Sequence, residues 1–426
     1  MIRLRLWANL RPMAWFGHSA GEYFLQYDEQ WLTQPGSFML SPQFPLQREE
    51  FRGHIVKVFF ENLLPEGDSL EDILATLQLR NAETLDIMGA LGQELPGILS
   101  ILPEGVEPQA AQQYKALSAS ELQARLKAQS ERKMPLLLSN QQHTSMSIAG
   151  VQPKMGLRYV SSKGKRVEQF FESIGASPST HILKPDSLQP RYQPSAINEY
   201  ACMKLARAMK LPVPDVWLTR VPDAAFIVQR YDRSELDGNV VCQHQIDGCQ
   251  ILGVGPGWKY ERTARLVSLP LIIKALRDLS ISGADMLQVQ RWVMFNFLIG
   301  NADAHGKNIS VMLGPQGIRL APFYDLLNVR VYGDEGLALR IGDAETFDEV
   351  NINAWQEWCE DCGFGFKPVR KALMKMAQNI LPAWAKVKAE ILSDEKITAS
   401  EIQLLNKMEA VFTQHVDWTN RKVGLD

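Results

Sequence analysis

The sequence has no long apolar run, no large excess of charge of either sign and few cysteines. None of its apolar runs approaches the roughly 18 residues that a membrane-spanning helix requires. A net charge of -3 provides no general basic field for nucleic acid or for an anionic membrane, although a local basic patch stays open. The composition therefore predicts a globular protein with no membrane partner.

The five cysteines are scattered and odd in number, which disfavours a disulfide framework and predicts a reducing, cytoplasmic location. Cys359 and Cys362 form a lone C-x-x-C. Structural zinc takes four ligands, and no second Cys or His pair lies nearby in the sequence. We therefore interpret these two residues as partly buried helical cysteines.

The first part of the chain, residues 1–110, has the pattern of a small α+β unit. IRLRLWANL and GEYFLQY alternate as strands do, and SLEDILATLQL has helical spacing with Ser69 placed as its N-cap. Residues 111–139 are polar and helix-prone, which predicts a connecting helix and linker.

The remaining chain divides into a mixed unit, residues 140–235, and a mostly helical unit, residues 236–426. HILKPD, SAINEYACMKLARAMK, VWLTRV and AAFIVQRYDR read as strand, helix, strand and strand. That order resembles the small lobe of a kinase. The helical unit contains at least four amphipathic segments and would form the large lobe.

The segment FNFLIGNADAHGKNIS places an acid, an imidazole, an ammonium and two amides directly behind an apolar run. One interpretation is an ordinary turn, because Asn, Asp and Gly are common turn residues. The other is a phosphoryl-transfer loop, in which Asp303 accepts the acceptor hydroxyl's proton and Asn308 binds Mg²⁺. Lys184, at a strand end, and Asp325, in FYDLL, complete the set in kinase order.

Two features depart from the usual kinase pattern. Gly-Asn-Ala rather than His-Arg precedes Asp303, and no G-x-G-x-x-G lies upstream of Lys184. The loop upstream of Lys184 is instead SMSIAGVQPK, with the single glycine Gly150.

Several neighbours have both a functional and a structural interpretation. His305 could steer the acceptor or a phosphate oxygen, or be a loop histidine bonded to backbone. Lys307 could neutralise γ-phosphate charge or be a solvated lysine. Glu199 could pair with Lys184 or lie on the surface, and Asp232 could reach ribose or be part of a salt-bridged strand end in RYDR.

Together, seven segments resemble the HipA-type serine/threonine kinase toxins of bacterial toxin–antitoxin modules: SMSIAGVQPK, HILKP, NEYACMKLARAMKLPVP, IVQRYDR, CQILG, FLIGNADAHGKN and LAPFYDLL. The resemblance extends through FFENLLPEG, which we expect to be structural, and so covers nearly the whole chain. It implies an α+β protein with a two-lobed protein-kinase-like fold and a small N-terminal α+β domain.

The resemblance also implies roles for individual residues. Asp303 matches the catalytic base, Asn308 and Asp325 match the Mg²⁺ ligands, and Lys184 matches the lysine on the ATP phosphates. The hinge that holds adenine through backbone groups matches Gln229 to Tyr231.

A further implication is self-phosphorylation in the SMSIAG loop. Ser147 matches the serine that these kinases phosphorylate on themselves, and Ser145 is a second acceptor. One departure is Ile246 before Asp247, where family members often carry Glu-Asp, so no role is carried over for that Glu.

The implied partners are a protein substrate, such as an aminoacyl-tRNA synthetase, and a small helix-turn-helix antitoxin that recruits the kinase to operator DNA. Two other functions stay open from the sequence. The chain could be a degenerate kinase that acts only through protein contacts, or a kinase of small molecules, because one fold can serve unrelated acceptors.

Overall fold

A computed structural model describes residues 2–79, 82–131, 154–161, 168–261 and 265–424. Ser145 and Ser147, the two serines expected to accept phosphate, lie outside the described residues.

The N-terminal part is a five-stranded antiparallel sheet with helices packed on it. Its strands are β1 (Ile2–Ala8), β2 (Arg11–Ser19), β3 (Glu22–Tyr27), β4 (Phe51–Arg52) and β5 (Leu99–Pro103), in the spatial order β4-β3-β2-β1-β5. Its helices are α1 (Glu29–Thr33), α2 (His54–Glu61), α3 (Gly67–Thr76) and α4 (Thr84–Leu91). The alternation in β1 and β2 buries Leu6 and Phe16, which pack with Phe59 and Phe60 of α2 in one core. The two strands predicted here are confirmed as β1 and β3.

Helix α3 begins earlier than its sequence predicts. The N-cap is Glu66 rather than Ser69, and the Glu66 side chain makes no cap hydrogen bond. Its carboxylate instead forms ion pairs with Lys259 and Lys307 of the helical unit. The Glu66 side chain therefore takes part in a long-range contact that no local pattern predicts.

The middle of the chain forms a six-stranded antiparallel sheet. Its strands are β6 (Gln113–Leu117), β7 (Met155–Ser161), β8 (Glu168–Ile174), β9 (His181–Pro185), β10 (Val216–Arg220) and β11 (Ala224–Gln229), in the order β10-β11-β9-β7-β8-β6. Helix α5 (Ala119–Ser130) precedes β7 along the chain, and helix α6 (Ser195–Ala208) follows β9. The predicted order of strand, helix, strand and strand is present as β9, α6, β10 and β11.

The predicted linker, residues 111–139, contains a helix but also strand β6, which pairs with β8 at the edge of this sheet. Most β6 side chains are exposed, so its polar composition hides the strand from pattern reading. Helix α5 is tied to the neighbouring strand β8 through the buried ion pair between Arg125 and Glu172, 2.8 Å apart. The described part of the segment, residues 111–131, therefore belongs structurally to the mixed unit.

The C-terminal part is mostly helical and carries three small antiparallel sheets. The hairpin β12 (Arg233–Leu236) and β13 (Asn239–Cys242) crosses the predicted boundary at residues 235 and 236. The other strands are β14 (His244–Asp247), β15 (Ser310–Gly314), β16 (Gly317–Leu320), β17 (Gly336–Ile341) and β18 (Ala344–Thr346). The helices are α7 (Gly248–Leu252), α8 (Leu269–Asp278), α9 (Gly283–Ile299), α10 (Ile352–Asp361), α11 (Phe366–Leu392) and α12 (Ala399–Lys422).

The four predicted helices are present as α8, α9, α11 and α12, but residues 292–299 of α9 are all buried, so this half of the helix is not amphipathic. Cys359 and Cys362, at the end of α10, are buried free thiols. Within the described ranges no helix is both long enough and apolar enough to cross a membrane.

The FNFLIGNADAHGKNIS segment begins within helix α9 and continues into the interior after the helix ends. The helix ends at Gly300, whose φ of 69° is the left-handed conformation that glycine adopts without strain. An added Cβ there would lie 3.0 Å from the Val411 side chain and 3.1 Å from that of Arg330. The chain can therefore turn sharply at this point and run through residues 301–308 into strand β15.

Candidate active site

The ammonium group of Lys184 forms ion pairs with one carboxylate of the mixed unit and one of the helical unit. Its Nζ lies 2.7 Å from Glu199 Oε1 on helix α6 and 2.7 Å from Asp325 Oδ1. The side chains of Lys184 and Glu199 are buried, whereas that of Asp325 is 30% exposed. Glu199 is thus the lysine's partner and not a surface residue, which decides between the two interpretations of its sequence.

The ionisation of this triad follows from its geometry. Burial alone would lower the pKa of Lys184, but Asp325 and Glu199 raise it overall. Burial likewise acts to raise the pKa of Asp325, yet the nearby Lys184 and Lys154 ammonium groups bring it well below its usual range. Glu199 is the most enclosed carboxylate, and burial raises its pKa to about 7 despite Lys184. Lys184 is therefore a cation, and Asp325 an anion, at neutral pH.

Asn308 faces the same carboxylate as Lys184. Its Nδ2 donates a hydrogen bond to Asp325 Oδ2 at 3.1 Å, while its Oδ1 is buried and has no hydrogen-bond partner within the described part of the chain. Asp325 has a φ of 57°, an unusual backbone conformation that Asp tolerates better than most residues. A partly exposed carboxylate beside an unpartnered amide oxygen is a hard-oxygen donor set, which suits Mg²⁺.

Asp303 lies at the start of the same loop and is partly buried. Its backbone N–H donates to Asn301 Oδ1 at 3.1 Å, and its Oδ1 accepts a hydrogen bond from the Tyr260 hydroxyl at 2.7 Å. Burial raises the pKa of Asp303 to about 6, against the lowering effect of the Tyr260 hydrogen bond. An aspartate in this state can take up a proton close to neutral pH.

His305 is buried beside Tyr260, with ring centroids 5.2 Å apart and planes nearly perpendicular. Burial and the Lys259 charge lower its pKa to about 3, so the imidazole is neutral. Its Nδ1 has no hydrogen-bond partner among the residues that the structure describes. Among these residues, the contacts of the imidazole thus include no hydrogen bond to backbone, although the structural interpretation of His305 expected one.

Lys307 points towards the N-terminal sheet domain, which is the five-stranded sheet β1–β5 with helices α1–α4. Its Nζ lies 2.8 Å from Asn62 O, 3.1 Å from Glu66 Oε1 and 3.5 Å from Asp247 Oδ2. The side chain is only 6% exposed, so Lys307 is not a solvated lysine. The structure brings its ammonium to these three groups rather than to Asp303.

The predicted hinge is bonded to the mixed unit through its backbone and to the helical unit through a side chain. The N–H groups of Gln229 and Arg230 donate to the carbonyls of Asp215 and Thr180, both at 2.9 Å. The Tyr231 hydroxyl donates to Gln245 of strand β14 at 2.8 Å.

Asp232 lies in a buried network of charges. It accepts hydrogen bonds from Arg230 and from the Gly97 N–H, both at 2.8 Å, and lies 2.8 Å from Arg233. Arg230 also pairs with Glu94 of the N-terminal part at 3.1 Å. These contacts favour the salt-bridged strand end over a ribose contact.

Sequence reasoning assigned no role to several residues of the site, namely Asn62, Glu66, Lys154, Lys259 and Tyr260. Lys154 is buried, and burial together with the charge of Lys184 lowers its pKa to about 8. It ends the SMSIAGVQPK segment, a position that could have marked it. Asn62 and Glu66 belong to FFENLLPEG, which therefore contributes contacts to the catalytic loop in addition to its part in the first domain.

Comparisons with known proteins place the chain in a family. Two family models match, the HipA N-terminal domain over residues 4–102 and the HipA-like C-terminal domain over residues 146–384. A Sinorhizobium fredii protein named "Putative kinase Y4mE" is 32% identical over 410 residues, which are 94% of each chain. The serine/threonine-protein kinase toxin HipA of Shewanella oneidensis is 31% identical over 391 residues, 87% of this chain and 86% of the toxin.

A solved structure of the Shewanella oneidensis HipA, HipB and operator DNA complex contains a chain of the same fold. It superposes with a TM-score of 0.81 at 26% identity, over 99% of this chain and 98% of the other. The α+β, kinase-like fold implied by the sequence is thereby confirmed. With both family models and full-length relatives in agreement, the chain belongs to the HipA family of serine/threonine kinase toxins.

Proposed function

We propose that the chain is an ATP-dependent serine/threonine protein kinase that acts as the toxin of a toxin–antitoxin module. The observation that carries the proposal is the convergence of four separate segments on one carboxylate and its surroundings. Lys184 and Asn308 both contact Asp325, Glu199 contacts Lys184, and Asp303 begins the same loop as Asn308. A kinase needs these groups together to position phosphates and to stabilise their charge.

Each group has a part in phosphoryl transfer. Lys184 would bind the ATP phosphates, and Asn308 and Asp325 would hold Mg²⁺, which neutralises phosphate charge when bound. Asp303 would accept the proton of the acceptor hydroxyl. The Tyr231 N–H makes no hydrogen bond with the described residues, so it remains available to adenine at the hinge.

The neutral His305 would line the acceptor side through its contact with Tyr260. A γ-phosphate role for Lys307 would require its ammonium to leave Asn62 and Glu66. We therefore propose that Lys307 positions the catalytic loop instead.

Family membership supports the partners of the proposal. The related HipA was solved with HipB and operator DNA, so we infer that a helix-turn-helix antitoxin binds this chain and brings it to operator DNA. The substrate would be a protein of translation, such as an aminoacyl-tRNA synthetase, in the cytoplasm. We also propose autophosphorylation on Ser147, on Ser145 or on both, which would place about -1.5 to -2 charge beside the ATP phosphates and reduce ATP binding.

Growth of a bacterial host tests the toxin assignment. Expression of the wild-type chain without an antitoxin is expected to arrest growth, and Asp303→Asn is expected to relieve the arrest at equal protein level, because arrest would require phosphoryl transfer. Colony counts after induction measure both. Equal arrest by the two forms would assign the toxicity to binding or misfolding and would contradict the proposal.

The pH dependence of phosphoryl transfer tests the role of Asp303. Because burial raises the pKa of Asp303 to about 6, kcat is expected to fall as the pH drops through that value and the carboxylate becomes protonated. Tyr260→Phe removes a hydrogen bond that lowers this pKa, so the acidic limb should move to higher pH. Tyr23→Phe, whose hydroxyl contacts Glu83 in the N-terminal sheet domain, is the control and should leave the profile unchanged. An acidic limb that Tyr260→Phe does not move would exclude Asp303 as its source.

A further inference from the structure

A buried ionic cluster connects the N-terminal sheet domain to the catalytic loop. Glu66 Oε2 lies 2.8 Å from Lys259 Nζ, and Glu66 Oε1 lies 3.1 Å from Lys307 Nζ. Asn62 adds its backbone and side-chain oxygens to Lys307 at 2.8 and 3.1 Å, and Asp247 Oδ2 lies 3.5 Å from the same ammonium. The side chains of the four charged residues are between 6% and 14% exposed, so water screens these contacts little.

The charges of this cluster balance. Two ammonium groups, of Lys259 and Lys307, face two carboxylates, of Glu66 and Asp247. Although burial acts to raise the pKa of Glu66, the two lysines lower it overall, so Glu66 remains an anion. A buried charge that loses its partner is strongly unfavourable. Each lysine is therefore held where the Glu66 carboxylate can reach it.

Both lysines that Glu66 holds are directly connected to the reacting groups. Lys307 is part of the loop between Asp303 and Asn308. The Lys259 carbonyl accepts the Gly306 N–H of that loop at 2.9 Å, and the next residue, Tyr260, donates its hydroxyl to Asp303. A shift of either ammonium would consequently move the loop or the hydroxyl that orients Asp303.

We propose that Glu66 is a positioning residue of the catalytic loop, supplied by the N-terminal sheet domain. Its carboxylate fixes Lys307 within the loop and Lys259 beside it, and so sets where Asp303 lies relative to bound ATP, whereas Asn308 is also held by its own hydrogen bond to Asp325. The proposal rests on the proposed kinase function. It makes the N-terminal domain a part of the catalytic apparatus.

A positioning role differs measurably from a role in stability alone. The ATP-phosphate lysine, Lys184, is held by Glu199 and Asp325 and not by Glu66. Loss of the Glu66 charge should consequently lower kcat and leave the KM for ATP nearly unchanged. A misplacement of about 1 Å in reacting groups can reduce turnover by about 100-fold.

The test compares full-length Glu66→Gln with wild type in kcat, in KM for ATP and in backbone amide exchange of residues 301–308. We expect kcat to fall at least about tenfold, KM to stay within about twofold, and the Gly306 and Asn308 amides to exchange faster. Glu66→Asp, which keeps the charge, should retain more activity than Glu66→Gln. The matched control is Glu61→Gln, because Glu61 is 30% exposed and pairs with Lys57 at 3.5 Å.

The double variant Glu66→Gln with Lys259→Gln removes one charge of each sign and covers the case in which Glu66→Gln alone does not fold. It too should lose at least about tenfold in kcat, because the tether to Lys259 is gone. Wild-type kcat and unchanged exchange in either variant would overturn the proposal. If the wild-type chain itself transfers no phosphate, the proposed function fails, and the exchange of the 301–308 amides still decides whether Glu66 positions the loop.

Discussion

Asp303→Asn is expected to reduce phosphoryl transfer on the order of 10³-fold, the middle of the range of about 10²- to 10⁴-fold that a positioned base contributes. The substitution keeps the shape of the side chain but removes the group that would take the hydroxyl proton. The contact with the Tyr260 hydroxyl can persist, because the amide oxygen also accepts a hydrogen bond. Steady-state turnover with Mg²⁺ and ATP measures the loss.

The same variant should leave the affinity for Mg²⁺ and ATP within about twofold of wild type, because Asp303 is not among the proposed metal ligands. Asp343→Asn is a matched control, since the Asp343 side chain is 83% exposed and pairs with Arg265 at 3.6 Å. Near-normal turnover in Asp303→Asn would show that another group accepts the proton.

Asp325→Asn is expected to lower turnover by a similar factor, on the order of 10²- to 10³-fold, and to weaken Mg²⁺-dependent ATP binding as well. The carboxylate is shared by Lys184 and Asn308, so its loss removes a proposed metal ligand and one of the two anions beside the lysine. Titration of ATP with and without Mg²⁺ separates these effects.

Without Mg²⁺, Asp325→Asn should bind ATP at least as well as wild type, because one negative charge near the phosphates has been removed. Equal losses of affinity in the presence and absence of Mg²⁺ would indicate a disturbed pocket and would contradict the assignment of Asp325 as a metal ligand.

The core of the candidate site could be predicted from the sequence because each member lies at the end of a local element. Lys184 ends strand β9, Asp303 and Asn308 follow the end of helix α9, and Asp325 follows strand β16. Local patterns in the sequence locate these ends, and the kinase order of the segments predicts that their side chains lie together. Glu199 was left open because a helix pattern does not by itself decide which face meets the preceding strand.

Contacts that depend on tertiary packing could not be predicted in the same way. Glu66 and Lys259 are 193 residues apart, and no local pattern connects them. The direction of Lys307 is equally hidden, because the side chain of a loop residue follows no periodicity. Strand β6 escaped detection because an edge strand with exposed faces has the composition of a linker.

The central claim, transfer of phosphate from ATP to protein hydroxyls, is tested most directly by mass spectrometry of bacterial extract incubated with the purified chain, Mg²⁺ and ATP. With wild type we expect new phosphoserine or phosphothreonine on at least one extract protein, together with phosphate on Ser147, on Ser145 or on both in the enzyme. With Asp303→Asn we expect neither. Phosphate found only on a metabolite would identify a small-molecule kinase, and no ATP consumption by the wild-type chain would identify a kinase-like binding protein; either result would contradict the claim.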